Sequence, residues 1–438
     1  MDTSRRTVSF LSLLLVLSIP GFAQLSTGSL SGTVTDRSGG AVAGATVTAT
    51  QTTTGRSLLT VSTEAGLYAF PNLDVGTYTL SVEKAGFKKL SRSNIVIAIS
   101  TKSVADLTLD VGDVAEIVTV TAEVPVLQSA SSEIGTNFAP RLFRDAPIYA
   151  GGLRNPEAFI GLQPGVVNGA GAEGGISGGA RRSKEILIDG ANATNPESGG
   201  VAFNGLPSVE ALGEFKLIND TFAAEYGRTG GGIESFVTAS GGNRFHGNVF
   251  DYHTSSALSA NAWANNARNV RKPSYHGNDY GFALGGPVRV PRLYDGKDRT
   301  FFFFALENFR RTDSSSRFLN VPTARQRQGD FSELLPRLIY DPMTGEPFAG
   351  NIIPQTRFST VSKNILAVVP QPSSGGVQQN YLGIVTTRSE LDSWSLKINH
   401  NFSNKHLLAG YVSKQDLSGL ADGPLPSPLL GEIGRAHV

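Results

Sequence analysis

The stretch "ELDSWSLKINHNFS", residues 390–403, carries the alternation on which the fold turns. Trp394, Leu396, Ile398 and Phe402 fall on one side of a strand, and Ser393, Ser395, Lys397 and Asn399 on the other. Apolar and polar faces alternating over about ten residues mark a membrane-barrel strand, with its apolar face to lipid and its polar face to a lumen. A soluble β-sandwich strand has the same period. The turn "SNK" (403–405) leads into a second such strand, "HLLAGYVSKQD" (406–416). Upstream, "DYGFALGGPV" (279–288) sets Tyr280, Phe282 and Leu284 against Gly281, Ala283 and Gly285, and "TFFFFALENFRR" (300–311) is aromatic through its first half. Aromatic residues suit the rims of a barrel's apolar band.

Composition agrees with a mainly β chain. Of 438 residues only 17% are charged, and Gly (50), Thr, Val, Ser, Phe and Asn outweigh the good helix formers. Lys and Arg number 38 and Asp and Glu 37, a net charge of +1, so no basic face for nucleic acid is expected. The chain has no cysteine, which excludes disulfides, thiolate metal sites, a cysteine nucleophile and a lipidated cysteine. "MDTSRRTVSFLSLLLVLSIPGFAQ" (1–24) reads as a signal peptide: Arg5 and Arg6, an apolar run from Phe10 to Ile19, then Pro20, with cleavage after Ala23. That run is too short to span a bilayer, and no later run reaches about 18 apolar residues. The mature chain is therefore expected outside the cytoplasm, either soluble or entering a membrane through strands.

Residues 24–112 carry about seven short alternating runs with turns between them, the pattern of an Ig-like or prealbumin-like β-sandwich. Ala45, Val47 and Ala49 share one face, as do Tyr78, Leu80 and Val82. The segments "GTVTDRSGGAVAGATVTAT", "TEAGLYAFPNLDVGTYTLSVEKAGFKK" and "LTLDVG" resemble the carboxypeptidase regulatory-like domain. An accompanying zinc peptidase would need neighbouring His and Glu ligands. None of His246, His253, His276, His400, His406 and His437 begins an H-x-x-E or H-E-x-x-H pattern, so neither an enzyme nor a cofactor is expected. His246 and His253, seven apart, fall on opposite faces of a strand.

Residues 124–241 read as an α+β segment. Glu185–Ile188 is a strand ending in the Asp189-Gly190 turn. "SVEAL" is a helical turn with Ser208 as N-cap, and "EFKLIND" and "GGIESFVTAS" are strands. "GAGAEGG" (169–175) imitates a phosphate loop without a clear strand before it or helix after it. "DGANATNPE" lacks an oxygen donor at its third position, Ala191, and reads as a turn rather than a calcium loop. Arg228 in "YGRTGGG" could hold an anion, but a structural role is preferred.

"EILIDGANATNP", the run from Ser208 to His253, "GFALGGPV" and "DRTFFFFALENFRR" resemble the TonB-dependent outer-membrane receptors, in particular the Oar-like subfamily with a carboxypeptidase regulatory-like domain in front. The resemblance implies a plug over 124–241, with motif residues Asp189, Gly190, Glu225, Tyr226, Gly227 and Arg228, and the start of a transmembrane β-barrel over 242–431. It also implies a Gram-negative outer-membrane location, a periplasmic leading sandwich, and partners in the TonB energy-coupling complex and outer-membrane lipid. The ligand it implies is an iron chelate, cobalamin, a glycan or a peptide. "EIVTVTAE" (116–123) stands where that family has its TonB box. Glu116, Ile117, Val118, Thr119, Val120, Thr121 and Ala122 would then pair with TonB by strand addition. The other reading makes them the last strand of the sandwich or the first of the plug. A third region, 313–390, is rich in Pro, Ser, Gly and Gln and is expected to be a long loop with short strands.

About five strands are expected after residue 241, whereas bacterial barrels start at about 8 strands and plugged transporters use about 22. The sequence is therefore expected to be an N-terminal portion. Its last residues, "EIGRAHV" (432–438), match a translated sequencing adapter. A secreted or periplasmic β-sandwich protein that binds carbohydrate or surfaces is the alternative.

Overall fold

The computed structural model describes residues 27–425 except 113–116, 122–132, 139–141, 143–144, 146–148, 151–152, 168–174, 181, 202–205, 224–225, 228 and 268–270. The expected signal peptide, the "EIGRAHV" tail and most of the "GAGAEGG" loop lie outside those residues. So do Glu116, Ala122, Glu225 and Arg228. The chain divides into two compact units. The first comprises residues 1–248, 283–305 and 395–413, and the second 249–282, 306–394 and 414–438.

The first unit opens with the sandwich, whose strands are β1 (Thr27–Asp36), β2 (Thr46–Gln51), β3 (Ser57–Val61), β4 (Leu67–Asp74), β5 (Gly76–Glu83), β6 (Lys89–Ile97), β7 (Lys102–Val104) and β8 (Leu107–Leu109). One sheet is ordered β4-β1-β7, with β8 also on β1. The other runs β3-β2-β5-β6 and ends in β9 (Ile117–Thr121). The alternation expected from sequence sets the core: Val47, Ala49, Tyr78, Leu80 and Val82 all point inward.

A further sheet of this unit is ordered β10-β17-β18-β15-β16: β10 (Ile134–Phe138), β17 (Leu212–Asp220), β18 (Ile233–Thr238), β15 (Glu185–Ile188) and β16 (Ala191–Asn192). Two small hairpins accompany it, β11 (Tyr149–Ala150) with β12 (Leu153–Arg154), and β13 (Val166–Val167) with β14 (Gly175–Ile176). Phe138, Phe215 and Phe236 are cross-strand partners on β10, β17 and β18, and their rings stack at 4.9 and 4.4 Å. Such a ladder fixes register, because a one-residue slip would turn every ring to the opposite face. Helix here is limited, among the described residues, to short stretches that include the 3-10 turns Pro156–Leu162 and Val209–Ala211. Ser208 stands at the N-cap of the latter, but its side chain makes no capping bond, unlike Asn155 before Pro156.

Five long strands follow in a sheet ordered β19-β20-β23-β24-β25. They are β19 (His246–Ser255), β20 (Ser274–Pro287), β23 (Thr300–Leu319), β24 (Tyr381–Asn401) and β25 (Leu407–Ala421). The two-residue strands β21 (Arg289–Val290) and β22 (Tyr294–Asp295) form a hairpin between β20 and β23. The neighbour order equals the chain order, an up-and-down meander.

In the second unit the segment between β23 and β24 departs from the expected loop with short strands. β23 and β24 extend into it from both sides, and between them stand short helices, among them Ala324–Arg327 and Thr360–Val368. The missed signals were caps. Thr323 and Gln326 form a capping box, and Ser359 accepts from the Ser362 amide. Arg327 ties the helices together by donating to the carbonyls of Leu366, Val369 and Pro370. Asn380 closes the base, pairing both ways with the Val321 backbone at 2.8 Å.

Candidate functional site

β9 lies parallel to β6, in register from Lys89 opposite Ile117 to Ser93 opposite Thr121. Its alternating β-formers thus continue the sandwich sheet, which was one of the two placements open in the sequence. Among the described residues β6 is its one strand neighbour. Thr119 is exposed.

The Asp189-Gly190 pair forms the two-residue turn expected. Both residues have positive φ, 47° and 82°, and join β15 to β16 with Ile188 opposite Ala191. The turn has a further role that the sequence did not announce. The Asp189 carboxylate accepts from the amide and hydroxyl of Thr238, and Lys397 of β24 reaches the same carboxylate at 3.1 Å and the Thr238 hydroxyl at 2.7 Å. Tyr226 hydrogen-bonds Ser100 at 2.9 Å, and Gly227 is exposed. Of the motif residues that are described, Asp189 and Tyr226 therefore do not meet at one centre. Asp189 meets a long strand, while Tyr226 meets the sandwich.

Around these contacts the plug-like sheet buries ions that sequence reading passed over. The Lys184 ammonium lies 2.6 Å from Glu157 and 2.8 Å from Glu234, all three buried. One ammonium faces two carboxylates, so burial and the Glu157 charge outweigh its attraction and push Glu234 up to about 7. Arg154 pairs with Glu210 at 2.9 Å, and Glu210 also accepts from Asn248 of β19 at 2.7 Å. Lys216 donates to the Ser100 carbonyl at 2.6 Å and sits 3.2 Å from Glu133. Beside it Glu214 accepts from the Ile99 amide at 3.2 Å. Burial pushes Glu214 up to about 7 against that bond and the Lys216 charge. The signal available was a charge inside an otherwise continuous apolar strand, as in "EFKLI" and "KEILI". A strand buried on both faces must pair such a charge.

The long strands have an inverted wall. Ser393, Ser395 and Lys397 are buried, whereas Trp394 and Ile398 are 37% and 43% exposed. On β20, Tyr280, Phe282 and Leu284 are exposed, while Gly277, Asp279 and Ala283 face inward. On these stretches of β20 and β24 the large apolar side chains point out, and Asp279, Ser393, Ser395 and Lys397 point in, opposite to a water-soluble sandwich; β23 instead turns apolar side chains inward. On β23 the inward set is Phe301, Phe303, Ala305, Glu307 and Phe309. Gly241, in the connection between β18 and β19, lets three chain segments meet. A Cβ there would lie 2.2 Å from the Phe302 carbonyl oxygen and 2.7 Å from that of Gly286. His246 and His253 are both exposed, and among the described residues no cluster of His, Asp and Glu is placed to hold a metal.

Comparison with known proteins follows the same division. The carboxypeptidase regulatory-like domain matches residues 29–110, and an outer membrane beta barrel domain matches residues 237–437. The TonB-dependent transporter Oar of Myxococcus xanthus is 30% identical over 291 residues, 62% of this chain. Over that part the chain is similar to a TonB-dependent transporter. It spans 26% of the length of that relative. Among solved structures, the siderophore receptor PirA from Pseudomonas aeruginosa is 13% identical over 66% of this chain and 41% of its own, with a TM-score of 0.30. The ferric enterobactin receptor PfeA from the same organism is 11% identical over 66% of this chain and 46% of its own, with a TM-score of 0.29.

Proposed function

We propose that this chain forms the leading sandwich, coupling segment, plug and first barrel strands of a TonB-dependent outer-membrane transporter of a Gram-negative bacterium. In this reading residues 1–23 are the signal peptide and 24–112 the periplasmic sandwich. The TonB box lies within 113–123, the plug over 124–241, and the barrel begins at 242. The observation that carries it is the inverted wall of β20 and β24. Water gives no reason to expose Tyr280, Phe282 and Leu284 on β20 and Trp394 and Ile398 on β24 while burying Ser393, Ser395 and Lys397. Lipid outside and a plugged lumen inside give both reasons at once. Relatedness to the Oar transporter supports the same reading.

The polar seams suit a plug that must move. Asp189 to Lys397 and Glu210 to Asn248 join plug to long strands by bonds that water can replace once the seam opens. Tension on the coupling segment would shift or unfold part of the plug, and the solute would pass through the lumen without covalent chemistry. Ligands of this class include iron chelates, cobalamin, glycans and peptides.

Replacing Ile398 with lysine tests the wall. On a lipid-facing strand the change costs about 2–4 kcal/mol near the bilayer midplane, and the amount of assembled protein in outer membranes should fall several-fold. On a water-facing strand it changes stability by less than about 0.5 kcal/mol. Unchanged levels for both Ile398→Lys and Leu284→Lys would contradict the membrane reading.

A further inference from the structure

We propose that the sandwich is a clamp that holds the plug sheet to the base of the barrel, so that the plug moves only after the sandwich lets go of the barrel side. The proposal rests on the transporter reading above and adds a restraint that the reading does not require.

Two turns of the sandwich carry it, and one packed core joins them. The first, between β6 and β7, grips the plug. The Ile99 amide donates to Glu214 at 3.2 Å, the Ser100 carbonyl accepts from Lys216 at 2.6 Å, and the Ser100 hydroxyl meets that of Tyr226 at 2.9 Å. Glu214 is 7% exposed and Lys216 is fully buried. Parting here would strip partners from two buried charges, which is costly. The second turn, between β2 and β3, reaches one end of the long strands. The Thr53 carbonyl accepts from the Asn243 amide at 2.8 Å, ahead of β19. Arg56 donates to the Asn404 carbonyl at 3.2 Å, in the turn from β24 to β25. Gly55, with φ at 75°, passes over Asp298 just before β23, and a Cβ there would lie 2.7 Å from the Asp298 carboxylate. Asp298 and Asn243 are fixed to each other by two bonds, at 2.6 and 2.8 Å. Three connections of the long strands thus form one seat for one turn. The Arg56–Asn404 and Asn243–Asp298 bonds are exposed, so water can replace them at little cost. The two grips differ in strength and share one core. The barrel side is therefore the one that yields, and the sandwich then leaves with the plug.

The test uses the absence of native cysteine. A Cβ at Gly242 would lie 3.5 Å from that of Thr53, within disulfide range. The complete protein carrying Thr53→Cys and Gly242→Cys is placed in planar lipid bilayers, and potassium chloride conductance is recorded as urea is added on the sandwich side. Opening should need about 1 M more urea with the disulfide closed than after reduction. Arg56→Ala, which lets go of Asn404, should open at less urea than wild type, and the closed disulfide should cancel that change. Equal thresholds in the oxidised and reduced states overturn the clamp and leave the transporter reading standing. An unchanged threshold in Arg56→Ala, where no disulfide forms between the two cysteines, overturns the docking of the sandwich. Wild type that conducts at no urea concentration overturns the transporter reading and the clamp with it.

Discussion

At the scale of single residues, the molecule is governed by charges taken out of water. Lys184 serves Glu157 and Glu234, and its removal would leave two carboxylates buried together. Breaking such a cluster costs about 3–5 kcal/mol, so Lys184→Met should unfold at correspondingly lower denaturant concentration. The loss should depend on pH. Glu234 and Glu214 hold protons in the folded state, near 7, that the unfolded chain releases near its ordinary 4.5. Their contribution is therefore complete below about 4.5 and lost as pH rises through about 7. Without the Lys184 ammonium Glu234 rises further, so the Lys184→Met penalty should be larger at pH 8 than at pH 5. An equal penalty at both, from urea titrations, would show that the triad is not coupled to protons. These residues were hard to read from sequence because a lysine in a strand is ordinarily a solvent-facing residue. Only its flanks, as in "EFKLI", show that both faces are covered. Asp189-Gly190 was the opposite case, since few residue pairs suit a turn with two positive φ values. Its bond to Lys397, some two hundred positions away, has no local signature.

Elements behave as their alternation foretold, and they differ where two placements share one pattern. Seven short runs predicted a sandwich, and β1 to β8 form it. "EIVTVTAE" predicted a strand, but period two is silent on the neighbour, and a coupling segment and a sandwich edge have the same needs. Proline at Val118 removes one backbone donor from the strand. It should lower affinity for the periplasmic domain of TonB at least tenfold, and full affinity in Val118→Pro would remove the box assignment. The junction where the Ile99–Ser100 turn meets Glu214, Lys216 and Tyr226 was not legible, because its partners come from distant elements. Glu214→Gln should flatten the fall in melting temperature between pH 5.5 and 7.5, since an amide keeps its neutral form throughout. A slope equal to that of wild type would mean that Glu214 does not titrate there. The helices between β23 and β24 were hidden for another reason. They are short and stabilised by caps and by Arg327, whereas composition reports only that the region is polar.

For the whole molecule, the mainly β architecture and the order sandwich, α+β segment, long strands were legible in composition and periodicity. The direction of the wall was not. Alternation in "ELDSWSLKINHNFS" divides the residues into two faces and leaves open which face is buried. The structure answers that question by burying Ser393, Ser395 and Lys397 and exposing Trp394 and Ile398. Relatedness to a TonB-dependent transporter and the match of 237–437 to an outer membrane beta barrel domain agree with that direction. The central claim is therefore about solvent: the exposed apolar face meets lipid. The most direct measurement is fractionation of the native bacterium with an antibody against the sandwich, followed by urea extraction of the isolated outer membranes. The account predicts that the protein stays in the outer-membrane pellet through extraction. Recovery in the soluble periplasm or the culture medium would contradict it.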